Sequence, residues 1–199
     1  MRLHSSRHAL AMFLSIVPWM GCGGPGGGGV VNDEVAARQA YLGLDRAIDR
    51  AIDLGFAGFN AASSANIPEQ SQAGDLSGLM VINGKVDQGS SANKGMRLEM
   101  TLAQDYADLV LEGDVEVIYN GGPAQLDMSF KGLPNADFSG SLHGTFVMDH
   151  DLVGDVTLDL NMSGQTEDAG GIIVRSPGTI RVTGTATSDY GVFNVDVAL

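Results

Sequence analysis

Apolar residues recur at spacings of three and four through Tyr41, Leu44, Ile48, Ile52, Phe56 and Phe59, the pattern of one face of a helix. Asn32 and Asp33 stand where caps are needed, so a helix is predicted over about 33–59. Asp45, Arg46, Asp49, Arg50 and Asp53 fall on the other face and are expected to be solvated neighbours at i,i+3 and i,i+4. Asn60 to Ala73, rich in Ala, Ser, Asn and Gln with one proline, predicts a connector. From about Leu76 onward the period becomes two. Apolar residues alternate at Met96, Leu98, Met100 and Leu102, at Leu109, Leu111, Val115, Val117 and Tyr119, at Leu126, Met128 and Phe130, and so on to Phe193, Val195 and Val197. Polar residues fill the places between, as in an antiparallel sheet with one dry and one wet face. Asn120-Gly121-Gly122-Pro123, Leu133-Pro134-Asn135, Asp149-His150-Asp151 and Thr187-Ser188-Asp189 separate the runs at hairpin distances. The prediction is mainly β with one N-terminal α-helix: a meander of seven to eight strands over about 76–199.

The glycines refine that picture. Gly84, Gly113, Gly144, Gly154 and Gly184 each occupy the centre of an apolar-x-Gly-x-apolar pattern and share parity with the inward residues. Glycine within a strand costs stability, so five on one face call for curvature or for close approach of another element. The expectation is a curved antiparallel meander or partial barrel wrapped around the helix, with the glycines forming the trough in which the helix lies.

The first 21 residues carry Arg2 and Arg7 ahead of an apolar run from Ala9 to Met20, too short to span a bilayer, and read as an export signal. Trp19-Met20-Gly21-Cys22 resembles the lipobox of bacterial lipoproteins, with Gly21 and Cys22 matching and Trp19 and Met20 standing where that family prefers smaller side chains. The resemblance implies cleavage before Cys22, a lipid on its sulfur, and the membrane as a partner. Gly23 after it fits transfer to an outer membrane, so the expected location is the bacterial cell envelope, lipid-anchored. The alternative is an ordinary secretory signal with an incidental cysteine. Residues 22–31, mostly glycine, read as a tether, and 32–199 as one domain. Cys22 is the only cysteine, so no intramolecular disulfide can form. Gly21, Gly23 and Gly26 spell G-x-G-x-x-G, but no strand precedes them and no βαβ unit surrounds them, which removes the dinucleotide reading.

Charge narrows the partners. Removing residues 1–21 takes away two arginines and no acid, so the formal −13 becomes −15, unsuited to nucleic acid or bare anionic headgroups. The layout is similar in outline to half-barrel lipoprotein carriers, which enclose a cavity between a curved sheet and covering helices. That likeness implies an apolar ligand; a protein partner is the other expectation.

The search for chemistry returns little. Gly140-Ser141-Leu142-His143-Gly144 is not G-x-S-x-G, and alternation turns Ser141 and His143 outward. Asp149, Asp151, Gly154 and Asp155 fall at positions one, three, six and seven of a calcium-type loop, but Val153 and Leu160 occupy two ligand positions. A polar hairpin tip is therefore the expectation, with Asp149, Asp151 and Asp155 as the only metal candidates and no cofactor implied. Thr166, Glu167 and Asp168 read as a solvated loop between Gly164 and Gly171. The expected role is non-enzymatic binding or interaction, the alternatives being an apolar-ligand carrier and a hydrolase using outer-face carboxylates.

Overall fold

The computed structural model describes residues 33–110 and 115–199. Cys22, the export segment, the tether and Gly113 lie outside the described residues. Helix α1 (Glu34–Ala61) begins where Asp33 Oδ1 accepts the backbone N–H of Val35 and Ala36, each at 3.1 Å, with Glu34 in the positive first turn. Its buried face holds Tyr41, Leu44, Ile48, Ile52 and Phe56, as the spacing predicts. The same face also carries eight small residues: Ala36, Ala37, Ala40, Gly43, Ala47, Ala51, Gly55 and Gly58.

Nine antiparallel strands follow: β1 (Asn66–Ala73), β2 (Ser77–Val86), β3 (Asn93–Ala107), β4 (Val117–Lys131), β5 (Asp137–His150), β6 (Gly154–Asp168), β7 (Ile173–Arg175), β8 (Arg181–Ser188) and β9 (Gly191–Ala198). All but β7 form one meander in chain order, and β7 pairs only with the end of β6. The register aligns inward side chains into rows, one of which runs Gly84, Leu98, Leu126, Leu142, Leu160, Gly184 from β2 to β8. Another runs Met96, Met128, Gly140, Met162, Val182.

The sheet is strongly curved and open. Flat, its eight-strand path would be about 34 Å wide at about 4.8 Å per strand, more than the about 26 Å that separates Tyr41 from Gly58 along the helix axis. Yet α1 reaches both edges: Tyr41 stacks on Phe193 of β9 with ring centroids 5.3 Å apart, and Gly58 lies against Ile67 of β1. Phe56 and Phe59 close the far end against Phe130 and Phe138 at centroid distances of 5.1–5.6 Å.

Several expectations need correction. The connector contains β1, which adds a strand beyond the seven to eight expected; only Ile67 in it is buried, so alternation gives no sign of it. Asn120 to Pro123 is not a turn. It lies within β4, where three residues between Gly121 and Gln125 face two between His143 and Phe146, a bulge that accommodates a proline inside the sheet. Leu109 lies beyond β3 and is exposed instead of continuing toward Tyr119. Thr166 to Asp168 belong to β6, and Thr166 is buried, its Oγ1 accepting Ala136 N–H at 2.7 Å and donating to Pro134 O at 2.8 Å.

The glycine trough is also overturned. Gly84, Gly144 and Gly184 have the inward parity, but a Cβ on them would strike the neighbouring strand: Arg97 O at 2.2 Å, Ala124 Cβ at 2.3 Å and Asp159 O at 2.1 Å. Gly154 faces the Asp189 carboxylate. Gly84 and Gly184, with φ of +155° and +141°, flank the leucine row and let the adjacent strands crowd as the sheet coils. The glycines that admit close helix–sheet contact are instead on α1. Gly43 lies under Tyr119, Gly55 under Met128 and Leu98, and Gly58 under Ile67.

Candidate functional site

The helix flank expected to be solvated is where the buried charge is concentrated. Arg50, on the fifth turn of α1, reaches Asp108 just beyond β3, whose side chain is 1% exposed. Arg50 Nη1 donates to Asp108 Oδ1 and to Tyr106 Oη (2.8 Å), Tyr106 Oη donates to Asp108 Oδ2 (2.7 Å), and Asp75 N–H donates to Asp108 Oδ1 (2.9 Å). Arg46 and Arg50 together hold the Asp75 carboxylate in the β1–β2 turn. Burial pushes the Asp75 carboxyl upward, but the two guanidinium hydrogen bonds and their charge outweigh it and hold it below its ordinary value. The Tyr106 hydroxyl is pushed well above its ordinary value, first by burial and then by Asp108. On the other flank, Arg175 of β7 pairs with Asp49 and Asp53, while Asn60 donates to Ile173 O (2.8 Å) and accepts from Ile173 N–H (2.9 Å). Here Asn60 imitates a neighbouring strand and docks β7 to the helix.

These groups clamp the helix into the sheet. Each oxygen of Asp108 is occupied by a fixed donor, and among the described residues no buried side-chain polar atom lacks a partner. Three donors thus converge on the Asp108 carboxylate, and the Arg50 guanidinium is shared among Asp108, Tyr106 and Asp75.

The residues singled out from the sequence lie apart from this clamp. Asp151 Oδ2 accepts Glu116 N–H at 3.0 Å and Asp151 N–H donates to Glu116 O at 3.2 Å, so it fastens the β5–β6 turn to the start of β4. Asp149 Oδ1 accepts His150 N–H at 2.7 Å. Asp155 is exposed on the outer face of β6, opposite Val147. The three do not converge, and among the described residues no group of three His, Cys, Asp or Glu side chains is placed to hold a metal ion. Ser141 faces Asp127 and Asn161 across the ladder, whereas His143 lies 3.3 Å from Asp159 on the same exposed face.

Two shallow depressions mark that outer face. One, about 410 Å³, is lined by Asp127, Ser129, Ser139, Ser141 and Asn161; the other, about 550 Å³, lies among Asn83, Lys85, Arg97, Glu99 and Gln125. Both are open, and Met128 and Met162 in the first and Ile67 in the second add apolar surface to the polar lining. Among the described residues the inner face is packed: Leu98, Met100, Leu126, Leu142, Phe146, Leu158 and Leu160 are each fully buried, with no solvent-sized void against them. Among the described residues no helix is long and apolar enough to cross a membrane.

The arrangement defines a class by architecture: an open antiparallel half-barrel sealed on its concave side by one clamped helix. No protein-family model matches the chain, nor does any curated protein or solved structure.

Proposed function

We propose that the protein is a lipid-anchored lipoprotein of the bacterial envelope, in the outer membrane, whose β-domain has a non-enzymatic interaction role. The order of segments carries this reading. An export-type stretch ends at the only cysteine, a glycine-rich spacer follows, and a capped helix then opens the domain at Asp33. The acyl chains carried by such a cysteine supply anchoring that an acidic domain cannot obtain from headgroups. The filled inner face favours interaction through the outside of the domain over carriage of an apolar ligand within it. The engagement of Asp108 by donors from Arg50, Tyr106 and Asp75, which ties it to the helix clamp, supports a role without catalysis.

Fractionation tests the anchor. The wild-type chain should sediment with membranes, band with the outer membrane on a density gradient, and yield an N-terminal peptide whose mass includes a diacylglycerol and an acyl chain. Cys22→Ser should move the protein to the soluble fraction. A soluble wild type, or a Cys22→Ser protein that stays on the membrane, would overturn the reading. A stoichiometric apolar ligand co-purifying with the domain would restore the carrier.

A further inference from the structure

The antiparallel meander brings the β1–β2 turn, the β3–β4 connection, the β5–β6 turn and the β8–β9 turn to one end of the sheet. Of seven exposed large apolar side chains on the described residues, six stand at or near this end: Val35, Leu76, Leu109, Val147, Val153 and Val192. The seventh, Ile172, is at the opposite end, in the β6–β7 turn. Val35 and Val153 are drawn together around Tyr190, whose Oη accepts Val153 N–H at 3.1 Å and whose carbonyl accepts Asp33 N–H at 2.9 Å. Leu76 N–H donates to Ala107 O at 3.0 Å, which sets Leu76 beside the segment carrying Leu109 on the other side of the rim. Single exposed apolar residues are ordinary, but their collection at one end marks a contact surface.

The chain enters the domain at that same end. Asp33 lies eleven residues after Cys22. A glycine-rich segment of that length has a typical end-to-end distance of about 18 Å and a limit of about 40 Å. The 15-residue strands β4 and β6 extend about 45–50 Å. A lipid on Cys22 therefore holds the end bearing Val35 and Val153 close to the bilayer and keeps the end bearing Ile172 away. Charge selects the kind of surface. Asp33, Glu34, Glu116, Asp149, Asp151 and Asp189 share this end, so an anionic surface would repel what the apolar side chains attract.

We propose that this apolar rim seats the domain on a zwitterionic lipid surface, the same surface that holds Cys22. The assignment rests on the lipid-anchor reading and adds an orientation and a contact to it. Lipidation consumes the only thiol of the chain, so an introduced cysteine becomes a unique label. The full-length lipidated protein, carrying a fluorophore at Val153→Cys or Ile172→Cys, is reconstituted into phosphatidylcholine vesicles containing lipids brominated near the headgroup. The label at 153 should be quenched severalfold more than the label at 172, with Val35→Cys repeating the result from the helix. Replacing part of the phosphatidylcholine with phosphatidylglycerol at low salt should relieve the quenching at 153, and added salt should restore it. Equal or stronger quenching at 172 on vesicle-bound protein overturns the seating while leaving the anchor intact. Indifference to phosphatidylglycerol overturns the zwitterionic preference. Protein that never joins the vesicles defeats the anchor reading, and the seating with it.

Discussion

Gly43→Ala and Gly55→Ala add the same methyl group to the same helix, yet they should differ sharply in stability because their neighbours differ in stiffness. At Gly43 a Cβ would stand 2.2 Å from Tyr119 Oη and 2.8 Å from two ring carbons, and Tyr119 is fully buried with its hydroxyl donating to Ala40 O at 2.9 Å. The ring can move only by abandoning that hydrogen bond. Overpacking costs about 1–3 kcal/mol, a buried hydroxyl without its partner about 1–3 kcal/mol, and alanine returns about 1 kcal/mol of helix propensity. The net is a loss of about 1–5 kcal/mol. At Gly55 the nearest atom is Met128 Sδ at 2.4 Å, near the end of an unbranched, pliable chain. Its repacking should fall at the low end of the overpacking cost, about 1 kcal/mol, which the about 1 kcal/mol of helix propensity offsets, leaving Gly55→Ala close to neutral. Urea unfolding followed by far-ultraviolet circular dichroism, at unchanged slope, reads the difference directly. Tyr119→Phe in the Gly43→Ala background should recover part of the loss, since it removes the closest atom. A Gly43→Ala protein as stable as wild type, or a Gly55→Ala protein that is the worse of the two, would refute the view that helix glycines set the approach to the sheet.

Three further outcomes follow from the clamp and the buried phenols. Arg50→Met leaves the 1%-exposed Asp108 side chain without its cation and should cost about 3 kcal/mol in urea unfolding, partly recovered by adding Asp108→Asn; a neutral Arg50→Met would reduce the clamp to decoration. Because folding lowers the Asp75 pKa, its contribution is present above the unfolded value of about 3.9 and is lost as pH falls through the folded value. Melting temperatures should therefore drop below about pH 4 in wild type and drop less in Asp75→Asn. Burial raises the pKa of Tyr41, Tyr106 and Tyr119, so stability should be intact below their unfolded value of about 10 and fall as pH rises beyond it. Absorbance titration near 295 nm should show these phenols ionising together with the loss of circular dichroism, and their free ionisation in a folded domain would contradict their burial.

Local pattern reveals an element where burial imposes a period and fails where it does not. The α1 stripe and the alternation in β3, β5 and β6 are visible because each has one dry face, and the β4–β5, β5–β6 and β8–β9 turns fall where polar tips interrupt it. Strand β1 has no such signature: it is an edge with water on most of its surface, and what makes it a strand is the otherwise unpaired edge of β2, where Ile67 meets Gly84 seventeen positions further on. The bulge in β4 is hidden because Gly-Gly-Pro is turn chemistry in isolation, and only the two ladders on either side decide that the strand continues through it.

The clamp and the glycines show a different limit. Arg50 and Asp108 are 58 positions apart, and nothing near either residue says that the other is its partner. One trace exists: Asp108 follows Tyr106 and Ala107 at the end of an apolar alternation, where a buried carboxylate needs a cation brought from elsewhere. Parity correctly turns Gly84, Gly144 and Gly184 inward, but parity cannot say which backbone would meet a side chain there. A coiled sheet crowds its own strands before a helix arrives, so inward glycines answer first to the neighbouring strand. The helix then needs its own small residues, which α1 supplies at Gly43, Gly55 and Gly58. That packing sets the concave face against α1 and leaves the outer face, the edges and the rim around Tyr190, where the chain enters the domain, to solvent.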